Sequence, residues 1–248
     1  MATIQTAHIN LLELGTTTLS TGAAAAGYPL YRLYDRDLGR LFIGSAATTT
    51  VVKVDQGAGG TQAVDRLLIP SGHNLAGVTL DIEWSTDDAS WTAATAQWTG
   101  AAGDIDKSWS ALTKRYWRFT MTSPAAAPQV GELWLTETTT WARNPSRPGG
   151  PQESIHNVTV AVTAEGRVRF EVNGPSLRQR NYTLRNISSA QRVQYEALWT
   201  AFGGSKPFWL VSDHEGNAIY GRFVAQPQLS EVAPGVFNAT LAFLEVPA

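Results

Sequence analysis

The sequence predicts a mainly β protein of two domains: an N-terminal β-sandwich, then a C-terminal β-sandwich or barrel with one flanking α-helix. Three observations predict it. Short apolar runs alternate with polar residues and are punctuated by Gly, Pro, Asn and Asp clusters, the pattern of many short strands joined by turns. One stretch, Ser188 to Gly204, carries helical periodicity instead. Thr138 to Pro151 collects three prolines in an extended, linker-like run where a domain boundary belongs. The resulting division is an arm and first strand at 1–27, a sandwich at 28–140, a linker at 141–151 and a β domain at 152–248 whose helix covers 189–203.

In chain order, Ile9, Leu11, Leu12 and Leu14 suit one strand, and Thr16 to Ala26 reads as a loop or arm rich in Thr, Ser, Gly and Ala. Leu41-Phe42-Ile43 is a short apolar run. Val51, Val52 and Val54 around Lys53 read as a strand, Gln56 to Gly60 as a glycine turn and Val64 to Ile69 as the next strand. From Val78 to Trp84 the apolar residues fall on one face, while Thr79, Asp81 and Glu83 fall on a wet one. Tyr116 to Met121 and Gly131 to Leu135 complete the first domain. In the second, Val158 to Val162 and Val168 to Val172 form an amphipathic hairpin, and Tyr182 to Arg185 is a third strand.

The helix follows. Ser188 three residues before Gln191 fits a capping box. Tyr195, Leu198, Trp199 and Phe202 share one face, Gly203 and Gly204 can end the helix and Pro207 cannot extend it. Phe208 to Val211 and Ile219 to Val224 form a hairpin across the polar turn 212–217. Gly235 opens a last strand with Phe237, Ala239, Leu241 and Phe243 on one side.

Composition narrows the function. A formal charge of −2 over 248 residues gives no global field for nucleic acid or anionic membrane. The absence of cysteine removes disulfides, thiolate nucleophiles and Cys-ligated metals, and fits folding in the cytosol. No apolar run is long enough to span a bilayer, and the first residues lack the pattern of a secretory signal. The nine Trp suit sandwich cores, with ligand platforms as the alternative. His8, His73, His156 and His214 share no metal-binding spacing, and no nucleophile elbow, phosphate loop or zinc-protease motif occurs, so the chain is not expected to be an enzyme. Four Asn-x-Ser/Thr sequons, at Asn157, Asn181, Asn186 and Asn238, read as products of Thr-rich strands.

Residues 28–138 resemble the discoidin-like (coagulation factor C-type) jelly roll of many carbohydrate-binding modules. The resemblance lies in an ordered series: Val52-Lys53-Val54-Asp55-Gln56-Gly57, then Leu67-Leu68-Ile69 with Gly72-His73-Asn74-Leu75. Ile82 to Trp91 follows, with Ser85-Thr86-Asp87-Asp88 before Trp91, and then Arg115 to Phe119 and Glu132-Leu133. Gln56 departs from the usual Leu and Asp88 from the usual Gly. The resemblance implies sugar binding through loops at one end and, in many members, a structural calcium. Asp35 and Asp37 offer the oxygen ligands calcium prefers, as do Asp104 and Asp106; each is equally a turn former. His73 is implied at the sugar site, or simply caps its turn. Trp98 and Trp109 are the candidates for stacking on a sugar, with core packing as their other role.

Residues 152–248 resemble the tail-tube-type domain of long-tailed bacteriophages, closest to distal tail or minor tail proteins. The residues that carry it are Trp199 to Gly204 leading into Phe208-Trp209-Leu210, and Gly216 to Phe223. This resemblance implies a structural virion protein at the tail tip, made in the host cytoplasm. It would assemble into a homo-oligomeric ring, commonly a hexamer, beside tail tube, hub and tape-measure proteins, with the outer domain meeting a partner or a host surface glycan. Arg167, Arg169, Arg178, Arg180 and Arg185 form a cluster suited to pairing with acids on a neighbouring copy; a solvated strand face is the alternative, and specific nucleic-acid contact is not expected. The competing reading of the whole chain is a carbohydrate-binding module of an adhesin or polysaccharide-degrading system.

Overall fold

The computed structural model describes residues 5–60, 62–122, 124–141, 153–155, 158–162, 168–172, 177–212 and 218–246, with backbone alone for those between 153 and 178 and for 212. It is mainly β with several sheets and few helices, consistent with a β-sandwich. The chain forms two compact units, Ala7–Thr139 and Met1–Thr6 with Thr140–Pro247.

The elements up to the boundary are β1 (Gln5–Ala7), α1 (Leu11–Leu14), β2 (Thr16–Thr21), a 3₁₀ turn (Leu30–Leu33), β3 (Phe42–Ile43), β4 (Thr50–Asp55), β5 (Ala63–Ile69), β6 (Thr79–Ser85), β7 (Thr92–Ala93), β8 (Trp98–Thr99), β9 (Ile105–Thr113), β10 (Tyr116–Thr122), β11 (Gln129–Val130) and β12 (Trp134–Thr136). One antiparallel sheet runs β2-β4-β10-β6-β7 with β8 also on β6; a second runs β12-β5-β9, and β3 pairs with β11. In the central strand Trp117, Phe119 and Met121 are buried, and they stand opposite Val54, Val52 and Thr50 on β4 and Trp84, Ile82 and Leu80 on β6. Period-2 alternation thus delivers one apolar face to the interior. Residues of both sheets close on each other around an apolar void of only about 10 Å³, lined by Val52, Val54, Leu67, Ile82, Trp117, Phe119 and Leu135 among others. A void of that volume holds at most about one water molecule.

Three sequence expectations are corrected here. Thr16–Thr21 is no loop but an edge strand on β4, because β-branched Thr suits an exposed pleat. Leu11–Leu14 is a short helix and not a strand: Asn10 caps it by accepting from the Leu12 N–H and donating to the Leu133 carbonyl. Asp81 is buried instead of lying on a wet face, its carboxylate accepting from Gln97 at 3.0 Å. The Gly/Ala/Ser-rich stretch after Trp91 also holds β7, β8 and the nine-residue β9.

The second unit contains β13 (Thr139–Thr140), β14 (Glu153–Ile155), β15 (Val158–Val162), β16 (Val168–Val172), β17 (Leu177–Ser188), α2 (Ser189–Phe202), β18 (Phe208–Ser212), β19 (Ile219–Phe223), β20 (Gln228–Ala233) and β21 (Val236–Glu245). Its sheet runs β13-β1-β18-β19-β21-β17-β14, with β20 also on β21; β15 and β16 pair with each other. The first residues are therefore no free arm, for Thr6 accepts from the Trp141 indole at 3.2 Å. The turn 213–217 and most of the linker lie outside the described residues.

The helix follows its sequence signals. Ser188 and Gln191 exchange both capping-box bonds, and Gly203 ends the helix at φ 53°. Tyr195, Leu198 and Phe202 are buried. Below them Phe208 is the hub, with ring centroids of Phe202, Phe223 and Phe243 at 5.4, 5.0 and 5.2 Å. Gly221 makes this possible: a Cβ there would lie 2.3 Å from the Leu244 carbonyl oxygen and 2.6 Å from the Phe243 ring. Burial pushes the Tyr195 phenol up to about 12.

Candidate functional site

The loops between β2 and β4 and between β5 and β6 contain the polar and aromatic groups from which a site in residues 7–139 can be built. The 3₁₀ turn sets the geometry. Its three-residue period brings Leu30 and Leu33 to the same side, where Leu33 is buried and Leu30 packs on the core. Tyr31 is thereby turned outward and is 48% exposed, while Tyr28, just before the turn, is 38% exposed. Among the described residues no other aromatic side chain is exposed to this degree. Gly27, at φ 81°, makes the bend that presents Tyr28. The Arg32 guanidinium lies 5.2 Å from the Tyr28 ring centre and donates to the Leu41 carbonyl at 3.2 Å. Asp37 and Arg40 pair at 3.2 Å with both side chains largely exposed.

The residues proposed from sequence lie elsewhere in role. His73 spends both ring nitrogens inside its loop. Nδ1 accepts from the Leu75 N–H at 3.1 Å, so Nε2 carries the proton and donates to the Gly103 carbonyl at 3.0 Å. Burial holds its pKa below the ordinary histidine value, in keeping with a neutral turn cap. Trp98 is half-buried, 6.5 Å from Phe119, and the Lys107 ammonium lies 5.3 Å from its ring centre. Trp109 packs 6.0 Å from Trp117 and donates to the Val64 carbonyl at 3.1 Å. Both rings belong to the margin of the core, the alternative role each had in sequence. Asp104 accepts from the Ser71 N–H at 2.7 Å and Asp106 pairs with Arg66 at 2.6 Å, so these two serve the loop and sheet.

Asp35 and Asp37 do not act as a pair. Asp37 accepts from the Gly39 N–H at 3.0 Å and faces Arg40, which commits both its oxygens. Asp35 accepts from the Asp37 N–H through Oδ1, and its buried Oδ2 has no hydrogen-bond partner. The group that stands with Asp35 is Glu132, which sequence reasoning did not single out. Glu132 is 0% exposed; one oxygen accepts from the Arg36 N–H and Oε2 has no hydrogen-bond partner. Burial pushes its carboxyl well up, and the charges of Asp35 and Glu13 add to the rise. Among the described residues no group of three or more His, Asp or Glu side chains is placed to hold a metal ion.

In the second unit, Arg167 lies outside the described residues, as do the side chains of Arg169 and Arg178. Arg180 is half-buried opposite Phe243 and Arg185 is exposed near the bulge of β17. The bulge is held by Asn238 accepting from the Asn186 N–H at 3.1 Å, with Asn186 at φ 55°. Among the described residues no helix is long and apolar enough to cross a membrane.

The sequence matches no protein-family model and no curated protein. Solved structures similar to its N-terminal half include carbohydrate-binding modules and fucosidase chains. One is chitosan-binding module 1 of a chitosanase/glucanase from Paenibacillus sp. IK-5, 23% identical, covering 52% of this chain and 100% of that one with a TM-score of 0.44. Another is a pectin-binding carbohydrate-binding module, 13% identical, covering 50% and 91% with a TM-score of 0.41. A fucosidase from Ruminococcus gnavus is 18% identical over 53% of this chain and 27% of its own, with a TM-score of 0.45.

Proposed function

We propose that residues 7–139 form a non-catalytic carbohydrate-binding module whose platform is Tyr28 and Tyr31. The observation that carries this reading is the exposure of these two rings on one anchored turn, in a chain whose other described aromatics are buried or half-buried. Exposed rings stack on the C–H faces of a pyranose, and Arg32 and Arg40 stand close in sequence to bond its hydroxyls. The ordered jelly-roll series in the sequence supports the same reading. Affinity electrophoresis of the purified chain against a panel of soluble polysaccharides tests it. Retardation by one of them, reduced roughly tenfold in affinity in Tyr28→Ala and Tyr31→Ala with unchanged melting temperature, is expected. Equal affinity in both variants, or no retardation by any member, would overturn the platform.

We propose as a second reading that residues 140–246 build a ring, as in the phage tail-tip proteins that the sequence resembles. The favouring observation is that, among the described residues, β20 is bonded to β21 alone, and β15 and β16 only to each other. Such edges accept a strand from a neighbour. Light scattering and negative-stain images should show a ring, commonly sixfold; a monomer at high concentration would remove this reading.

A further inference from the structure

The loop that carries Tyr28 and Tyr31 contains Arg32, Arg36 and Arg40, and they differ in what they hold. Arg36 grips Glu13 with Nε and Nη2 at 2.7 and 3.1 Å. Arg66 holds Asp106 by the same edge at 2.6 and 3.1 Å, and Arg115 holds Asp55 at 2.8 and 3.1 Å. A planar guanidinium matches a carboxylate through two parallel N–H bonds, so this edge is where arginine takes an acid. Among the described residues Arg32 forms no such ion pair. Its Nη1 donates to the Leu41 carbonyl at 3.2 Å, and its Nε has no hydrogen-bond partner. The carbonyl bond and the Tyr28 ring, 5.2 Å from the guanidinium carbon, hold Arg32 beside an exposed aromatic face.

The acid whose charge reaches Arg32 is Asp35, and it is a poor counter-ion. Its Oδ1 accepts from the Asp37 N–H and its Oδ2 has no hydrogen-bond partner. Burial pushes its carboxyl up, and the Asp37 charge adds to the rise, against the pull of Arg40 and Arg32. Arg40 reaches Asp37 at 3.2 Å, with the two side chains 59% and 51% exposed, a pair that water and salt open readily.

We propose that the platform takes an acidic glycan, a chain containing uronate, with a sugar ring on Tyr28 or Tyr31 and the uronate carboxylate on Arg32. Nε is shielded from solvent, so the carboxylate meets Nη2. It supplies Arg32 with the acid that Arg36, Arg66 and Arg115 find inside the chain. Arg40 adds a second positive charge, which Asp37 offsets. This class of ligand rests on the platform reading above.

The test is affinity electrophoresis in polygalacturonate, alginate and hyaluronan, each beside its carboxyl-reduced form, which keeps the backbone and loses the charge. At least one acidic polymer should retard the chain, its reduced form should bind roughly tenfold more weakly, and added salt should weaken the acidic case alone. Arg32→Gln should weaken binding to the acidic polymer roughly tenfold. Arg40→Gln should weaken it about twofold, and Asp37→Asn, which keeps an acceptor for the Gly39 N–H, should strengthen it by about the same factor. These last two side chains are largely exposed, so both variants should keep the wild-type melting temperature, and they carry the test even where Arg32→Gln disturbs its loop. Equal retardation by an acidic polymer and its reduced form, with Tyr28→Ala and Tyr31→Ala weakened, overturns the acidic class and leaves the platform. So does a preference for the acidic form that Arg32→Gln, Arg40→Gln and Asp37→Asn all leave untouched. Acidic binding that survives Tyr28→Ala and Tyr31→Ala overturns the platform, and this assignment with it.

Discussion

The two units close a β core by different means. In residues 7–139 two sheets face each other over aliphatic side chains and Trp117, and the loops are locked by polar side chains. In the C-terminal unit one sheet is covered by one helix, and the contact is a stack of aromatic rings centred on Phe208. The difference separates two uses of aromatic residues. Where a lone helix must cover a sheet, rings supply the area, and among the described residues of that unit none is left exposed. Where two sheets already close the core, a ring in a loop is free to face solvent, as Tyr28 and Tyr31 do. The exposed rings therefore belong to the first unit and the ring stack to the second.

The sharpest way to break this comparison is to remove the centre of each core. Trp117→Ala and Phe208→Ala each delete a fully buried ring and should cost about 3–5 kcal/mol. In a calorimetric scan each should lower the transition of its own unit. A loss below about 1 kcal/mol for Phe208→Ala would mean that the helix is held by something other than the ring stack.

Legibility in the sequence followed the range of the interaction. The capping box of Ser188 and Gln191, the glycine end of the helix and the buried face of β21 are local and were readable. The helix at Leu11–Leu14 was not, because its cap, Asn10, is fixed by the carbonyl of Leu133, which lies 123 residues away. Glu132 looked like an ordinary strand residue for the same reason: its burial depends on a turn 96 residues upstream. β2 was obscured by composition, since a Thr-rich run suits an edge strand and a loop alike. A signal for the exposure of Tyr31 did exist. Leu30 and Leu33 at i, i+3 beside Pro29, in a glycine-led segment, describe a 3₁₀ turn that buries two leucines and releases the tyrosine between them.

The finer test of the comparison lies in the two departures from the jelly-roll pattern, Gln56 and Asp88, which show how the sandwich locks its turns. Gln56 donates to the Gln62 and Lys114 carbonyls at 3.1 and 2.9 Å and accepts from the Gln62 N–H at 3.2 Å, so one side chain ties two turns together. Gln56→Leu leaves those groups unpaired and should cost about 1–2 kcal/mol, read from denaturant midpoints. Asp88 occupies a left-handed position at φ 60°, which Asp tolerates and Gly prefers, and it pairs with Lys53 at 2.7 Å. Asp88→Gly relieves the backbone and removes a partly exposed ion pair, two small terms of opposite sign. The net change should stay within about 0.5 kcal/mol. A loss above about 2 kcal/mol would show that the Lys53–Asp88 bridge holds the turn, and would place the sandwich's rigidity in its surface charges and not in the hydrogen-bonded latch at Gln56.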